Sequence, residues 1–452
     1  MEMLPIGLDD KFNVNERSIL ITGTQALVRL CLLRAEIDKR HGLDTAGYVS
    51  GYRGSPLGGV DGQFHASEKH LSPANVVFES GLNEDIAATA IWGTQQAEMR
   101  GEGKHDGVFG MWYGKGPGVD RTGDVFRHAN LAGTSKHGGV LAILGDDHTC
   151  ESSTTCHQSE FAMVDAMMPI LNPSTVQDLI EYGLHGWQMS RFTGQWVGLK
   201  CVKDVIEATA TITSDIDDFT PIIPTMETMP SDGLNIRPND IPVEQEKRLH
   251  KHKVDAAIAY GRANNLNHAT YSGGKNPRIG IVSTGKSYTD VLQALHILGI
   301  DRTRADELGI SLYKVGMVYP LEPQGLREFA SSLDQVIVVE EKRGLMETQI
   351  RELLYGIENQ PSVIGKRDED ENVLFQSEYA LNPKQIAQAI GERVVAKTKS
   401  KTVLRALTKL SANLESERLK LDVARKPYFC AGCPHNSSTV LPDGARGYAG
   451  IG

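Results

Sequence analysis

The chain has 452 residues, 47 Lys and Arg against 57 Asp and Glu for a formal charge of -10, and 40% hydrophobic residues. A chain of this length should form two or three domains, each with its own core. The acidic balance leaves no basic face for nucleic acid, and no apolar run approaches the ~20 residues of a membrane helix. The opening MEMLPIGLDDKF lacks the charged and apolar regions of a signal peptide, and six cysteines in so long a chain form no disulfide framework. A reducing cytoplasm is the expected setting.

Through about residue 235, short apolar runs alternate with helix-like stretches. Residues 46–50, 76–78, 108–112, 140–144 and 196–202 predict strands, and 25–38, 83–100 and 176–190 predict helices. Strand, glycine-rich turn and helix in repetition predict a parallel sheet covered on both faces, with ligands at the carboxyl ends of its strands. Residues 221–242 hold five of the 19 prolines and read as a linker, followed by a helix over 243–264. A second, smaller α/β unit begins at Arg278, with strands RIGIVS, ISLYKV and QVIVVE and helices over 287–298, 323–331 and 345–357. Between 393 and 426 ten basic residues face three acids, which reads as a solvated helical connector rather than a binding arm. A third unit opens at Tyr428. The expected divisions are therefore 15–235, 236–277, 278–392, 393–427 and 428–452.

Gly51-Tyr52-Arg53-Gly54-Ser55-Pro56-Leu57-Gly58-Gly59 directly follows a predicted strand. Its glycines would let backbone amides approach a ligand, although the turn is neither a dinucleotide fingerprint nor a P-loop. By itself it is equally a tight turn. Gly114-Lys115-Gly116-Pro117-Gly118 follows the next-but-one strand, at the same predicted edge. Glu84 falls on the first turn of a helix behind Asn83, where an acid commonly serves only to offset the helix dipole. Its place beside the Gly51 turn makes it a candidate functional carboxylate. Asp146-Asp147-His148 could be read as metal ligands, but loop hydrogen bonds are the plainer reading, and the scattered histidines, His157 among them, show no ligand spacing.

Cys430-Ala431-Gly432-Cys433-Pro434-His435 presents two thiols from one tight turn, half of a four-ligand site. No cysteine follows Cys433, and the other four lie at least 229 residues upstream. Either a downstream piece or a second chain completes such a site, or the pair is not a metal site; a zinc knuckle and a redox disulfide are further readings. No Gly-Asp-Gly…Asn run for magnesium diphosphate occurs.

Taken in order, GYRGSPLGG, FESGLNEDIA, MWYGKGPGVD, LGDDHTCESS, the second α/β unit and FCAGCPHN resemble the indolepyruvate:ferredoxin oxidoreductase family of thiamine-diphosphate-dependent 2-oxoacid:ferredoxin oxidoreductases. The resemblance runs from about Leu20 to Gly452 and is to the N-terminal portion of the long fused form. It implies a doubly wound parallel-sheet domain of the pyrimidine-binding type, then a smaller transketolase C-terminal-like α/β domain. It also implies that Glu84 binds N1′ of the aminopyrimidine. The Gly54, Ser55 and Pro56 turn would line the pocket, with Ser55 hydrogen-bonding there. Arg53, where the family more usually has proline, would meet the substrate carboxylate or else sit in a surface ion pair. Cys430 and Cys433 would be two ligands of a [4Fe-4S] cluster. The remaining cluster ligands, the Mg²⁺ and diphosphate site and a gamma-type portion would come from a missing downstream part. The implied reaction decarboxylates an arylpyruvate such as indolepyruvate to its acyl-CoA and passes electrons to ferredoxin, in a homodimer. A thiamine enzyme without iron–sulfur and a catalytically silent assembly subunit are the rival readings.

Overall fold

The structure is a computed structural model and describes residues 7–151, 155–417 and 429–447. The expectations placed on the first six residues, on 418–428 and on Gly450-Ile451-Gly452 fall outside these. In chain order the strands are β1 (Ser18–Thr22), β2 (Thr45–Gly51), β3 (Val76–Ser80), β4 (Gly107–Lys115), β5 (Val140–Asp146), β6 (Ile170–Leu171), β7 (Val197–Val202) and β8 (Thr209–Thr213). There follow β9 (Asn267–Ser272), β10 (Ile279–Thr284), β11 (Ile310–Val315), β12 (Met317–Tyr319), β13 (Gln335–Val339) and β14 (Ser362–Ile364).

The large sheet has the order β12-β6-β7-β5-β4-β2-β3. Its six strands from the first part of the chain run parallel, and β12, antiparallel to β6, closes one edge. The smaller sheet, β14-β13-β10-β11-β9, is parallel except for its edge strand β9. The expectation of parallel sheets thus holds except at one edge of each, where β12 and β9 run antiparallel, so the architecture is mixed. A separate antiparallel ladder pairs β1 with β8.

Alternation along the strands feeds two cores. Met111, Tyr113, Leu141 and Ile143 face the helices Gly23–Arg40 and Val176–Thr193. Trp112, Ala142 and Leu144 face the other way, onto Glu84–Thr94 and Gly123–Ala132. That second core continues into Val282, Val315, Val318 and Val336 of the smaller unit, so both units share one apolar layer. Each fully buried side chain of this size stabilises by about 1.5–3 kcal/mol.

Residues 219–241 carry no regular element, as the prolines suggested. The helix beyond them runs Pro242–Arg248, passes through a π-turn at Leu249–Lys253, and continues as Val254–Ala263. The helix Pro383–Thr398 crosses position 392, and Val403, Leu407 and Leu410 of the next helix, Lys401–Glu417, are buried in a further core with Ile281, Leu295 and Ile390 of the smaller unit. An apolar stripe at helical spacing therefore packs this basic segment onto the smaller unit, where the sequence reading had a solvated connector. No helix among the described residues is long and apolar enough to cross a membrane.

Candidate cofactor site

The carboxyl ends of β2, β3, β4 and β5 lie side by side, so the loops that follow them share one edge of the large sheet. The turn after β2 is held tightly to β4. Tyr52 N–H donates to the Tyr113 carbonyl at 3.1 Å, and Gly81 N–H donates to the Gly51 carbonyl at 2.9 Å. A Cβ on Gly51 would come within 2.2 Å of the Tyr113 oxygen, so this position accepts glycine alone. Pro56 and Leu57 fold over the end of β5, where a Cβ on Gly145 would meet Leu57 at 2.7 Å. Asp61 ties the next helix down by accepting from the Tyr113 hydroxyl at 2.7 Å and the Ser80 hydroxyl at 3.0 Å.

Glu84 is the first residue of its helix. Asn83 caps that helix, accepting from Ile86 N–H at 2.9 Å. From the adjacent strand, Trp112 Nε1–H donates to the Glu84 carbonyl at 3.1 Å, with its ring edge-on to Phe126. The Glu84 side chain lies against Gly118 and is 7% exposed. No donor among the described residues is bonded to its carboxylate. Ser55 is half-buried, Pro56 is buried, and Arg53 is exposed and forms no ion pair among the described residues. The structure therefore brings the Gly51 turn, Glu84 and the Gly114–Gly118 cluster together, and leaves Arg53 without the surface salt bridge weighed for it.

His157, to which the sequence reading assigned nothing, belongs to this edge. A Cβ on Gly116 would come within 2.1 Å of its ring. Its Nε2 lies 2.8 Å from Asp120 and its Nδ1 lies 3.5 Å from Asp146. Burial alone would lower the imidazole, but the two carboxylates outweigh it and raise its pKa. Asp146 is fully buried, accepts from Ser159 N–H at 3.0 Å and Ser159 Oγ–H at 2.6 Å, and lies 3.6 Å from Lys200. Against the cost of burial, the bonds to His157 and Ser159 and the charges of Lys200 and His148 hold its carboxyl well below the usual range. These are loop and core hydrogen bonds, the plainer of the two readings of Asp146-Asp147-His148. No group of three or more His, Cys, Asp or Glu side chains among the described residues could hold a metal ion.

Cys430 and Cys433 stand apart from this edge, on an exposed turn. Cys433 N–H donates to the Cys430 carbonyl at 3.0 Å, and Cys433 Sγ lies 3.3 Å from His435 Nδ1. Cys31 and Cys201 are buried in the core, where burial pushes both thiols up out of the reactive range.

Residues 269–417 match the family model described as the indolepyruvate oxidoreductase domain. The chain is 24% identical over 438 residues to the indolepyruvate oxidoreductase subunit IorA of Methanothermobacter thermautotrophicus, covering 95% of this chain and 61% of that protein. IorA of Pyrococcus abyssi is 23% identical, over 93% of this chain and 58% of its own length. The chain belongs to the 2-oxoacid:ferredoxin oxidoreductase superfamily. A superfamily structure, the 2-oxoglutarate:ferredoxin oxidoreductase of Magnetococcus marinus with 2-oxoglutarate, coenzyme A and succinyl-CoA bound, superposes with a TM-score of 0.62 at 15% identity. The superposition covers 84% of this chain and 66% of that one, and the α/β mixed-sheet fold is shared. The chain spans about 60% of the length of the curated superfamily relatives it matches.

The cofactor implied by the superfamily can be tested against these side chains. A buried carboxylate with no donor among the described residues, packed directly against Gly118 at the carboxyl edge of the sheet, suits the pyrimidine half of thiamine diphosphate. The two thiols of the 430–433 turn suit half of an iron–sulfur cluster.

Proposed function

We propose that this chain forms the pyrimidine-binding part of a thiamine-diphosphate-dependent 2-oxoacid:ferredoxin oxidoreductase. Its substrate would be indolepyruvate or another arylpyruvate, converted to the acyl-CoA with single electrons passed through a [4Fe-4S] cluster to ferredoxin. The observation that carries this reading is Glu84 at the carboxyl edge of the sheet, its helix start capped by Asn83, its backbone carbonyl held by Trp112 and its buried carboxylate fitted against Gly118. The relatives' names support the substrate class.

When bound, thiamine diphosphate supplies the nucleophilic carbon and the electron sink that decarboxylation of a 2-oxoacid requires. Glu84 holds a proton between its carboxyl and N1′ of the pyrimidine, and its seclusion from water keeps that proton in place. Gly54, Ser55 and Pro56 shape the wall beside it, with Ser55 as the hydrogen-bonding side chain. Arg53 offers the substrate carboxylate a bidentate partner. Cys430 and Cys433 give two ligands of the cluster. Mg²⁺, the diphosphate and the other two ligands are held by further protein, whether continuous with this chain or in separate diphosphate-binding and gamma-type subunits. Residues 278–392 serve as a transketolase C-terminal-like assembly domain in a cytoplasmic homodimer.

The test is anaerobic reconstitution with those portions, following visible absorption and viologen reduction with indolepyruvate, CoA and thiamine diphosphate. A brown complex that loses its cluster in Cys433→Ser and its turnover in Glu84→Gln is the expected result. A colourless complex, or turnover indifferent to Glu84, would leave an assembly subunit as the better account.

A further inference from the structure

At the amino ends of the same strands, a cavity of about 690 Å³ opens between the helices Gly23–Arg40 and Val176–Thr193 and residues 219–235. Its volume falls within the range of small-molecule pockets, roughly 300–1,000 Å³. The strand β2 separates it from the Gly51 turn by its seven residues, roughly 20 Å at the rise of an extended chain.

The floor holds an unbalanced charge. Arg191 grips Asp38 with both terminal nitrogens at 2.7 Å, Arg34 reaches the same carboxylate, and Thr45 donates to it at 2.8 Å. Neither guanidinium pairs with any other acid among the described residues, so two buried cations share one carboxylate. Arg34 has Nε and Nη1 buried with no acceptor. Burial and the charge of Arg191 lower Arg34 to about 10. Lys136, exposed at the rim, adds a third cation. A buried excess of positive charge calls for an anion. The walls, by contrast, are apolar: Phe192, Phe219, Ile223, Met229 and Leu234.

The roof is tied at both ends. Asn264 exchanges two hydrogen bonds of 2.8 Å with the backbone of Ile222, and Asn235 donates to the Arg191 carbonyl at 2.9 Å. Leu234 sits so close to Gly194 that a Cβ there would meet its oxygen at 2.1 Å. The span between carries no regular element, so the cavity is roofed by a strap fastened on either side.

We propose that this cavity binds an amphipathic carboxylate, its anion received by the Arg34, Arg191 and Lys136 side and its aryl or alkyl body held beneath the 219–235 strap. The binding is measured by isothermal titration of the full chain with phenylacetate and with octanoate, beside phenylacetamide and inorganic phosphate. Both carboxylates should saturate a single site, and the neutral amide should bind about tenfold more weakly for want of the charge-assisted contact. Ile223→Trp, at a half-exposed wall position, should fill the cavity and abolish the heat while the thermal unfolding profile is kept. Lys136→Glu, at the exposed rim, should weaken both carboxylates and leave the amide unchanged. An amide that binds as tightly as its acid would overturn the proposal. So would phosphate binding as tightly as either carboxylate, the absence of heat from both carboxylates, or carboxylate binding that ignores both variants. The titration contains no thiamine diphosphate, so its failure leaves the reading of Glu84 untouched.

Discussion

A methyl group on Gly118 would stand 2.6 Å from Oε1 of Glu84 and 2.7 Å from its Cγ. The glycine and the carboxylate define each other's space across two different loops. Glu84 gets its height from the helix start after β3, Gly118 from the short helix after β4, and Trp112 clamps the backbone between them.

Gly118→Ala should therefore copy Glu84→Gln. In the reconstituted enzyme both should lower turnover by about 10²–10⁴, the contribution of one well-placed proton-transfer group. Gly123→Ala is the control, because a methyl there meets nothing within 4 Å. Wild-type turnover and cofactor affinity in Gly118→Ala would show that the carboxylate can sit elsewhere and still act.

Removing the charge of Asp146 should destabilise strongly. Asp146→Asn leaves Lys200, fully buried, with Glu160 as its carboxylate partner in contact among the described residues and takes away one of the two anions beside His157. A loss of about 3–5 kcal/mol is expected on breaking such a buried set, read from urea midpoints at pH 7. Because its folded pKa is lowered, the stability it contributes is present above the usual carboxylate value and disappears as pH falls through that value toward the folded one. The variant should show a shallower acid-side decline than the wild type, and an equal decline would count against this account.

Lys253 costs stability where Asp146 contributes it. Its amine is fully buried, donates to the carbonyls of Gly194 at 3.1 Å and Asn130 at 3.2 Å, and is lowered by burial to about 7. The unfolded chain binds the extra proton between pH 7 and about 10, so folded-state stability should rise with pH across that window, by roughly 4–5 kcal/mol in total. Lys253→Met should flatten the rise and be more stable than wild type at pH 7. Parallel stability profiles for the two proteins would refute the assignment.

A partly buried ion pair also joins the two units. Lys314 on β11 meets both oxygens of Asp178, on the helix Val176–Thr193, at 2.9 and 2.8 Å. A double-mutant cycle of Lys314→Met and Asp178→Asn should return a coupling of about 1–3 kcal/mol. A coupling below about 0.5 kcal/mol would mean the joint rests on the shared apolar layer and the β6–β12 pairing rather than on this ion pair.

The interior strands were legible because their apolar runs are long: β4 and β5 are buried on both faces and show it in sequence. The two-residue β6 and the three-residue β12 were not, since so short a pairing carries no periodicity and depends on what lies across from it. Glu84 could be placed because Asn83 and the residues after it announce a helix start. His157 could not, because its partners Asp120 and Asp146 come from two other loops and no spacing connects them. Lys253 was equally hidden: a lysine in a basic helix looks solvated until the chain that buries it is folded. The Arg34 and Arg191 pair around Asp38 escaped for the same reason, two of its members standing 153 residues apart.

The contribution of β12 to the large sheet sets a schedule for synthesis. Strand β7 leaves the ribosome with residue 202, but the edge of the sheet beside it stays open until residue 319 has followed. At about 5–20 residues per second, this leaves the β6 edge unpaired for roughly ten seconds in every newborn chain. During that interval an open strand edge can recruit the wrong neighbour. Expression yield should thus depend on chaperone supply and on translation speed between the two units more than on the stability of the finished protein.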